Sequence, residues 1–484
     1  VTLFLLFSLL RSGMKMQINK PIVDKLIMFE EQKNYSFHVP GHKHGLLSTL
    51  PWKESLTYDV TELTGLDDLH SPETIIAQAQ QLLTQDNNTI SSYFLVNGST
   101  VGNLTMLYAT CNAGDTIIVQ RNCHKSIFNA ISLIGLKPIY ITPEWDEVTN
   151  TATSINITLL KEAHEAFSIT AIVLTTPNYY GVLANELREV ITYCHTNNII
   201  VLIDEAHGAH FGATAAFPKS ALAYGADIVV QSAHKTLPAM TMGAFLHINS
   251  ERINQKKVEL YLGMLQSSSP SYPIMASLDD ARHFKANYTD EDFLYFTKIK
   301  SKFIASLTAI KGILVITTDD PLKLLVRYEG VTGFELQTEL EKQKIYAELA
   351  DIYQVLLLLP MLKNAMTFQF EEIIVGVQLA SEKLAHYLKS TPPTTNYHKA
   401  ITQPKFSPIE MEEKPACYVN IYEGIGKVAA ETLVPYPPGI PICLAGEVIT
   451  KEMTKEIIML LEIGAYFQGN HRLNEKLICV MKEA

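Results

Sequence analysis

Cysteine is scarce and scattered in this chain. Its six cysteines, Cys111, Cys123, Cys194, Cys417, Cys443 and Cys479, include no CxxC pair. In a chain of 484 residues this excludes a disulfide framework and points to reduced thiols in the cytoplasm. The apolar run that opens the chain, Val1 to Leu10, is too short to span a bilayer. The basic residues nearest to it, Arg11 and Lys15, follow it, the reverse of a secretory signal. Residues 1–16 are therefore read as a non-functional extension, and no membrane association is expected. Positive charge is also in short supply. Against 50 Asp and Glu stand 39 Lys and Arg, a formal net charge of -11, which argues against nucleic acid as a partner. There is no internal repeat, no low-complexity tract and no Gly-Lys-Ser/Thr of a Walker loop.

What is present is enough apolar material for a large interior: 47% hydrophobic residues against 18% charged. The length exceeds one small core and implies two or three lobes. Short apolar strands are expected at Thr116–Val119, Pro138–Ile141, Thr170–Leu174, Ile199–Ile203 and Asp227–Val230. They alternate with helical patterns at Pro72–Leu83, Thr100–Cys111, Ser126–Ile134, Leu159–Phe167 and Leu187–Cys194. Alternation of this kind predicts an α/β domain, a largely parallel sheet with helices on both faces. Beyond about Asp290 the texture changes to helix (Lys298–Ile310), then strands around Leu314–Thr317 and Leu322–Tyr328, a smaller α+β domain. The expected divisions are 17–71 as an N-terminal arm, 72–290 as the large domain, 291–391 as the small domain and 392–484 as a C-terminal segment. Pro392-Pro393 marks the last linker.

Three segments carry chemistry. Gln231-Ser232-Ala233-His234-Lys235-Thr236-Leu237-Pro238 places a lysine just past a buried strand. Partial desolvation there disfavours its ammonium form and makes the amine a usable nucleophile, as a Schiff base to an aldehyde cofactor requires; an ordinary solvated turn is the other reading. Asp204 ends the run Asn198–Ile203, where open parallel sheets bind ligands, and its carboxylate suits a protonated pyridine nitrogen. Asp204, His207 and His210 also have the residue types of a metal site, but no fourth ligand stands at a recognisable spacing and no metal is expected. In Tyr93–Asn103 a strand runs through Gly98-Ser99-Thr100 into a helix. Ser99 or Thr100 is expected to cap it, leaving backbone N–H groups for a phosphate or for no ligand at all.

In this order, phosphate cradle, pyridinium partner and lysine resemble the fold-type I (aspartate aminotransferase-like) enzymes of pyridoxal 5'-phosphate. Further segments resemble one family, the Orn/Lys/Arg decarboxylases: His38-Val39-Pro40-Gly41-His42-Lys43, Asp59-Val60-Thr61-Glu62-Leu63, Leu66-Asp67-Asp68-Leu69-His70, Arg121-Asn122-Cys123-His124-Lys125-Ser126, Asp204-Glu205-Ala206-His207-Gly208-Ala209-His210 and Tyr436-Pro437-Pro438-Gly439-Ile440-Pro441. The resemblance runs from about Gln17 onward. It implies that Lys235 holds the cofactor, with His234 and Ser232 against it and its phosphate. Ser99 and Thr100 contact the phosphate, His124 covers the ring, Asp204 pairs with the ring nitrogen, and His207 lies by the cofactor or the substrate carboxylate. It implies decarboxylation of a basic amino acid, arginine first and then lysine or ornithine, for polyamine synthesis, in a homodimer with the site at the subunit boundary.

The larger members carry an N-terminal wing domain; the early His38–His42 motif makes this chain look like the short, constitutive type. The cluster His38, His42 and His44 is read as a structural turn with some pocket-lining role. Two departures, Ala445 where the family has proline before Gly446-Glu447 and Asn178 where it often has threonine, are expected to bear on the substrate's far end. Glu62, Asp67, Asp68 and Glu447 are candidates to read that end, though such a carboxylate is more often solvated or capping. The rivals are an aminotransferase, which would need an arginine on the carboxylate with only Arg327 and Arg472 left after Arg282, and a catalytically idle cofactor-binding protein.

Overall fold

A computed structural model describes residues 19–389, 400–435, 440–469 and 471–482. Residues 1–16, Pro392-Pro393 and Tyr436–Gly439, all used above, lie outside the described residues. The large lobe is built on seven strands: β1 (Ser91–Leu95), β2 (Thr116–Gln120), β3 (Lys137–Ile141), β4 (Ala171–Thr175), β5 (Ile200–Asp204), β6 (Ile228–Gln231) and β7 (Ala244–Ile248). Their spatial order is β1-β7-β6-β5-β4-β2-β3. Neighbours from β6 to β3 run parallel, while β7 is antiparallel to both β6 and β1. The sheet is therefore mostly parallel, as expected, with one reversed strand.

The apolar runs are continuous because both faces of the sheet are covered. On β2, Ile117 and Val119 enter one core while Ile118 enters the other; on β5, Leu202 and then Val201 and Ile203 divide the same way. One face is covered by the helices Gly98–Thr110, Lys125–Ile134 and Gln255–Leu265, through Leu107, Ile131 and Leu262 among others. The opposite face is covered by Ile157–Ala166 and Leu187–Thr196, through Leu160, Val190 and Ile191.

Where boundaries moved, a specific contact moved them. The helix expected at Pro72–Leu83 occupies Ile75–Asn87, because Asp67 accepts the backbone N–H groups of Glu73, Thr74 and Ile76 and so pins its start. The antiparallel β7 was not anticipated. His247 interrupts its apolar run, yet it is fully buried, held by Ser92 at 2.8 Å and Gln231 at 3.2 Å.

The small lobe is an antiparallel sheet of β8 (Ile313–Thr317), β9 (Lys323–Tyr328), β10 (Leu349–Ala350) and β11 (Val355–Leu358), in the order β8-β9-β11-β10. Helices Asp290–Thr308, Gly333–Lys342 and Phe370–Leu384 pack on it. The first starts earlier than the Lys298 expected, at a Thr289–Asp292 capping box. The C-terminal segment adds Ile401–Thr402 to the β3 edge and an antiparallel pair, Ala416–Asn420 with Leu477–Met481. Among the described residues no helix is long and apolar enough to cross a membrane.

Candidate active site

Five segments converge because they leave the same edge of the sheet. Strands β1, β2, β4, β5 and β6 share a direction, so the residues that follow their carboxyl ends gather in one crevice. They deliver Ser99, His124, Tyr179, Asp204 with His207, and Ser232 with Lys235, respectively.

Lys235 lies in the short helix Ala233–Thr236 just after β6. Its Nζ is 2.9 Å from His207 Nε2 and 5.7 Å from the centre of the Tyr179 ring. Burial pulls the Lys235 pKa below the usual lysine range, against the opposing pull of Asp204 and Glu348. Burial likewise drives the His207 pKa far down, and Lys235 adds to it. Burial therefore weakens the hold of both imidazole and amine on a proton where they meet. His234 donates from Nδ1 to the Gly243 carbonyl at 3.0 Å, and burial lowers its pKa too.

Asp204 is 1% exposed. Its Oδ1 accepts the Ala206 N–H at 3.1 Å and its Oδ2 accepts from Asn103 Nδ2 at 2.8 Å. Asn103 also donates to Ser126 Oγ at 2.9 Å, which sits 2.8 Å from His124 Nδ1. His124 caps the helix Lys125–Ile134 by accepting the Ser126 N–H. This connected row orients the carboxylate and the imidazole together. Sequence reading missed Asn103 and Ser126, though both lie inside motifs quoted above; each is a polar residue on the buried face of its helix.

The phosphate cradle needs a correction. Neither Ser99 nor Thr100 caps the helix Gly98–Thr110. The cap position is Asn97, and no side chain bonds the first turn. The chain turns earlier than expected, at Gly98 with φ +81°, which glycine alone adopts without strain. Ser99 thus lies in the first turn, where its Oγ accepts from Ser232 Oγ at 2.8 Å, while Thr100 is exposed. An uncapped helix start beside two hydroxyls fits a phosphate dianion.

His124, His207 and Lys235 open on a cavity of about 490 Å³. The large lobe contributes His124, Tyr179, His207 and Lys235 to its wall, the small lobe Glu348, and the C-terminal segment Thr432 and Val434. Glu348 escaped the sequence reading, because nothing local distinguishes it from a solvated surface carboxylate.

The four acids proposed for the substrate's far end are placed otherwise. Asp67 caps a helix, Asp68 accepts the His70 N–H, and Glu62 is exposed away from this wall. Glu447 is buried and receives both Arg121 guanidinium nitrogens at 2.6 Å, together with Thr402 Oγ1 and the Leu444 N–H. Asn178 is structural too: it accepts the Tyr180 and Val182 N–H groups and donates to Ala152. Of the histidine cluster, His42 bonds Asp59 at 3.1 Å and the His38 and His44 rings meet edge to face. His210 bonds Asp320 at 2.9 Å.

Family models match the Orn/Lys/Arg decarboxylase major domain over residues 20–303 and its C-terminal domain over 391–471. The chain belongs to the Orn/Lys/Arg decarboxylase family. A Bacillus subtilis arginine decarboxylase is 31% identical over 96% of this chain and 99% of its own length. An uncharacterized protein of the same organism, YaaO, is 44% identical over 96% of this chain and 99% of its own length. Among solved structures, the Francisella novicida lysine decarboxylase LdcF superposes with a TM-score of 0.77 at 18% identity, covering 96% of this chain and 81% of that one. A second, titled as SPT with PLP, superposes with a TM-score of 0.52 at 15% identity, covering 64% of this chain and 77% of that one. Both share the fold.

The Arg121–Glu447 pair ties the C-terminal segment to the turn that presents His124. Burial pushes the Glu447 carboxyl up, but the hydrogen bonds and charge of Arg121 bring it below the usual range. Its stabilisation is therefore present above the ordinary glutamate pKa and lost as pH falls through the lowered one. Arg121→Ala strands a buried carboxylate and is expected to cost about 3–5 kcal/mol at neutral pH. Denaturant unfolding checks this: the gap to wild type narrows in acid, and equal stability at neutral pH counts against the strut.

Proposed function

We propose that this protein decarboxylates a cationic amino acid, arginine first and lysine or ornithine next, releasing CO2 and the corresponding amine for polyamine synthesis. The observation that carries the proposal is a partly buried amine, Lys235, held at 2.9 Å by the His207 imidazole in the wall of a cavity that the Glu348 carboxylate also lines. Pyridoxal 5'-phosphate is the cofactor, and the residues fit it: an amine for its aldehyde, Asp204 for its ring nitrogen, Ser99, Ser232 and an uncapped helix start for its phosphate. When bound, it supplies the electron sink for the pair left behind as CO2 departs.

The chain's own groups do the rest. Asp204, fixed by Asn103 and Ala206, holds a proton on the ring nitrogen. His124, locked at its helix start, covers one wall of the cavity. Lys235 and His207, 2.9 Å apart, hold and return the proton at Cα. Glu348 reads the cationic end of the substrate. Among the described residues its side chain makes no hydrogen bond or ion pair, whereas Asp320, Asp351 and Glu447 are all engaged. Neither arginine left for an aminotransferase lines the cavity: Arg327 bonds Gln354 and Arg472 bonds Glu475.

The N-terminal arm supports a homodimer. Tyr35, Phe37, Leu46, Leu47 and Trp52 are 92%, 97%, 80%, 70% and 62% exposed, more clustered apolar surface than a monomer ordinarily leaves bare. A second copy is the proposed cover, and the protein is expected to elute at twice the mass of one chain.

A product assay with arginine, lysine and ornithine tests the reaction. CO2 with agmatine or the matching diamine is expected; an α-keto acid points to transamination, and no product to an idle protein. In the same assay Glu348→Gln is expected to raise KM for the preferred substrate roughly 10- to 100-fold with kcat little changed, the worth of one charge-assisted bond. An unchanged KM removes Glu348 from substrate reading.

A further inference from the structure

A second buried lysine stands behind the site, and the reaction as proposed does not use it. Lys323 opens β9 of the small lobe, is 1% exposed, and donates to the Tyr179 carbonyl at 2.8 Å. The Tyr179 ring lies 5.0 Å from the His207 ring, centre to centre, and 5.7 Å from Lys235 Nζ.

The same turn is gripped one step on. The Gly181 carbonyl accepts the Asp320 N–H at 2.9 Å. A Cβ on Gly181 would come within 2.7 Å of Asp320 Cβ and 2.8 Å of Lys323 Cδ, and its φ is +86°. Only glycine lets the two lobes approach this closely. Asp320 in turn bonds His210 at 2.9 Å, with both side chains fully buried. His210 follows His207 by three residues, so the contacts close a circuit: His207, Tyr179, Lys323, Asp320, His210 and back along the main chain.

We propose that Lys323 is a positioning residue for the reacting amine: its buried ammonium group and its bond to the Tyr179 carbonyl set both the placement and the electrostatic surroundings of His207 and Lys235. The inference rests on Lys235 holding the cofactor. Lys235 is faced by Asp204, Glu348 and the His207 imidazole, and His207 by Lys235, Lys323, His124 and His234. Lys323 is faced by Asp320, Glu348 and Lys235, and burial lowers it to about 8. It is thus still largely charged near neutrality, a cation that works against a proton on its neighbours.

The experiment is a pH titration of the cofactor's absorbance in the holoenzyme and in Lys323→Met, Lys323→Gln and Lys323→Arg. Losing the cation makes protonation of the cofactor-bound nitrogen easier. The Met variant is therefore expected to titrate about one pH unit higher and to lose roughly tenfold in kcat with KM changed less. Gln keeps a donor for the carbonyl without the charge, so it should shift the titration while sparing more of kcat. It also carries the test if the Met variant does not fold. Arg restores the wild-type titration. Wild-type titration in both the Met and Gln variants, with only a lower Tm, makes Lys323 a structural filler and overturns the inference. Borohydride fixation separates the two readings: no label on Lys235 in wild type sinks the Schiff-base assignment and this inference together, whereas label on Lys235 with unshifted variants sinks this inference alone.

Discussion

Lys235→Ala is expected to abolish covalent retention of the cofactor and to lower turnover by on the order of 10⁴-fold, the upper range for removing a positioned proton-transfer group. Two functions vanish with one side chain: the amine that anchors the aldehyde, and the base nearest His207. The fold should survive, because the Lys235 side chain is only partly buried, touching His207 at the cavity wall, and its strand neighbours Val229 and Val230 keep their core. Borohydride treatment of wild-type protein should fix the cofactor to the peptide containing Lys235. The informative competitor is Lys125, which lines the same cavity and is exposed. Label recovered on Lys125, or an alanine variant that still retains fixed cofactor, moves the chemistry to another residue.

Asp204→Ala should separate binding from chemistry. The phosphate cradle and Lys235 remain, so the variant is expected to take up cofactor and stay coloured. Turnover should fall by roughly 10³-fold, the scale of losing a preorganised charge in a water-poor site. The Asn103 amide would lose its acceptor, and with it the row that reaches His124 through Ser126. Asp204→Asn preserves the shape and the contact to Asn103 while removing the charge. If both variants lose turnover alike, the charge is the cause; if only Ala does, the row is. Near-normal turnover in both would show that the ring proton is held by some other group.

The amino-acid sequence alone was sufficient for the fold class and for the parallel part of the sheet. Strand-length β-branched runs alternating with helical patterns admit one economical packing, a parallel sheet buried on both faces. In such a sheet residues just past strand ends must share one edge, which is why Asp204 and Lys235 could be named from local context, whereas His207 and Ser232 entered through the resemblance. His124 was reachable through its motif. The reversed β7 was not, since a buried histidine breaks the pattern that periodicity reads. The helix start at Asn97 and Gly98 was also missed, because one glycine with a left-handed φ shifts a boundary without altering composition.

Tertiary structure decided everything that depends on lobes meeting. Glu348 and Lys323 come from a different sheet than Lys235, and no spacing along the chain encodes that docking. Asp67 took the capping alternative the sequence had offered, while Glu447 proved to be a buried strut. A carboxylate's role follows from which donors surround it in space, and Arg121 lies 326 positions from Glu447 whereas the donors to Asp67 lie within nine. Residue type and local pattern settled the parallel core of the large lobe; which acids are paired within the interior was settled only by packing, because desolvation and pairing are properties of the folded interior.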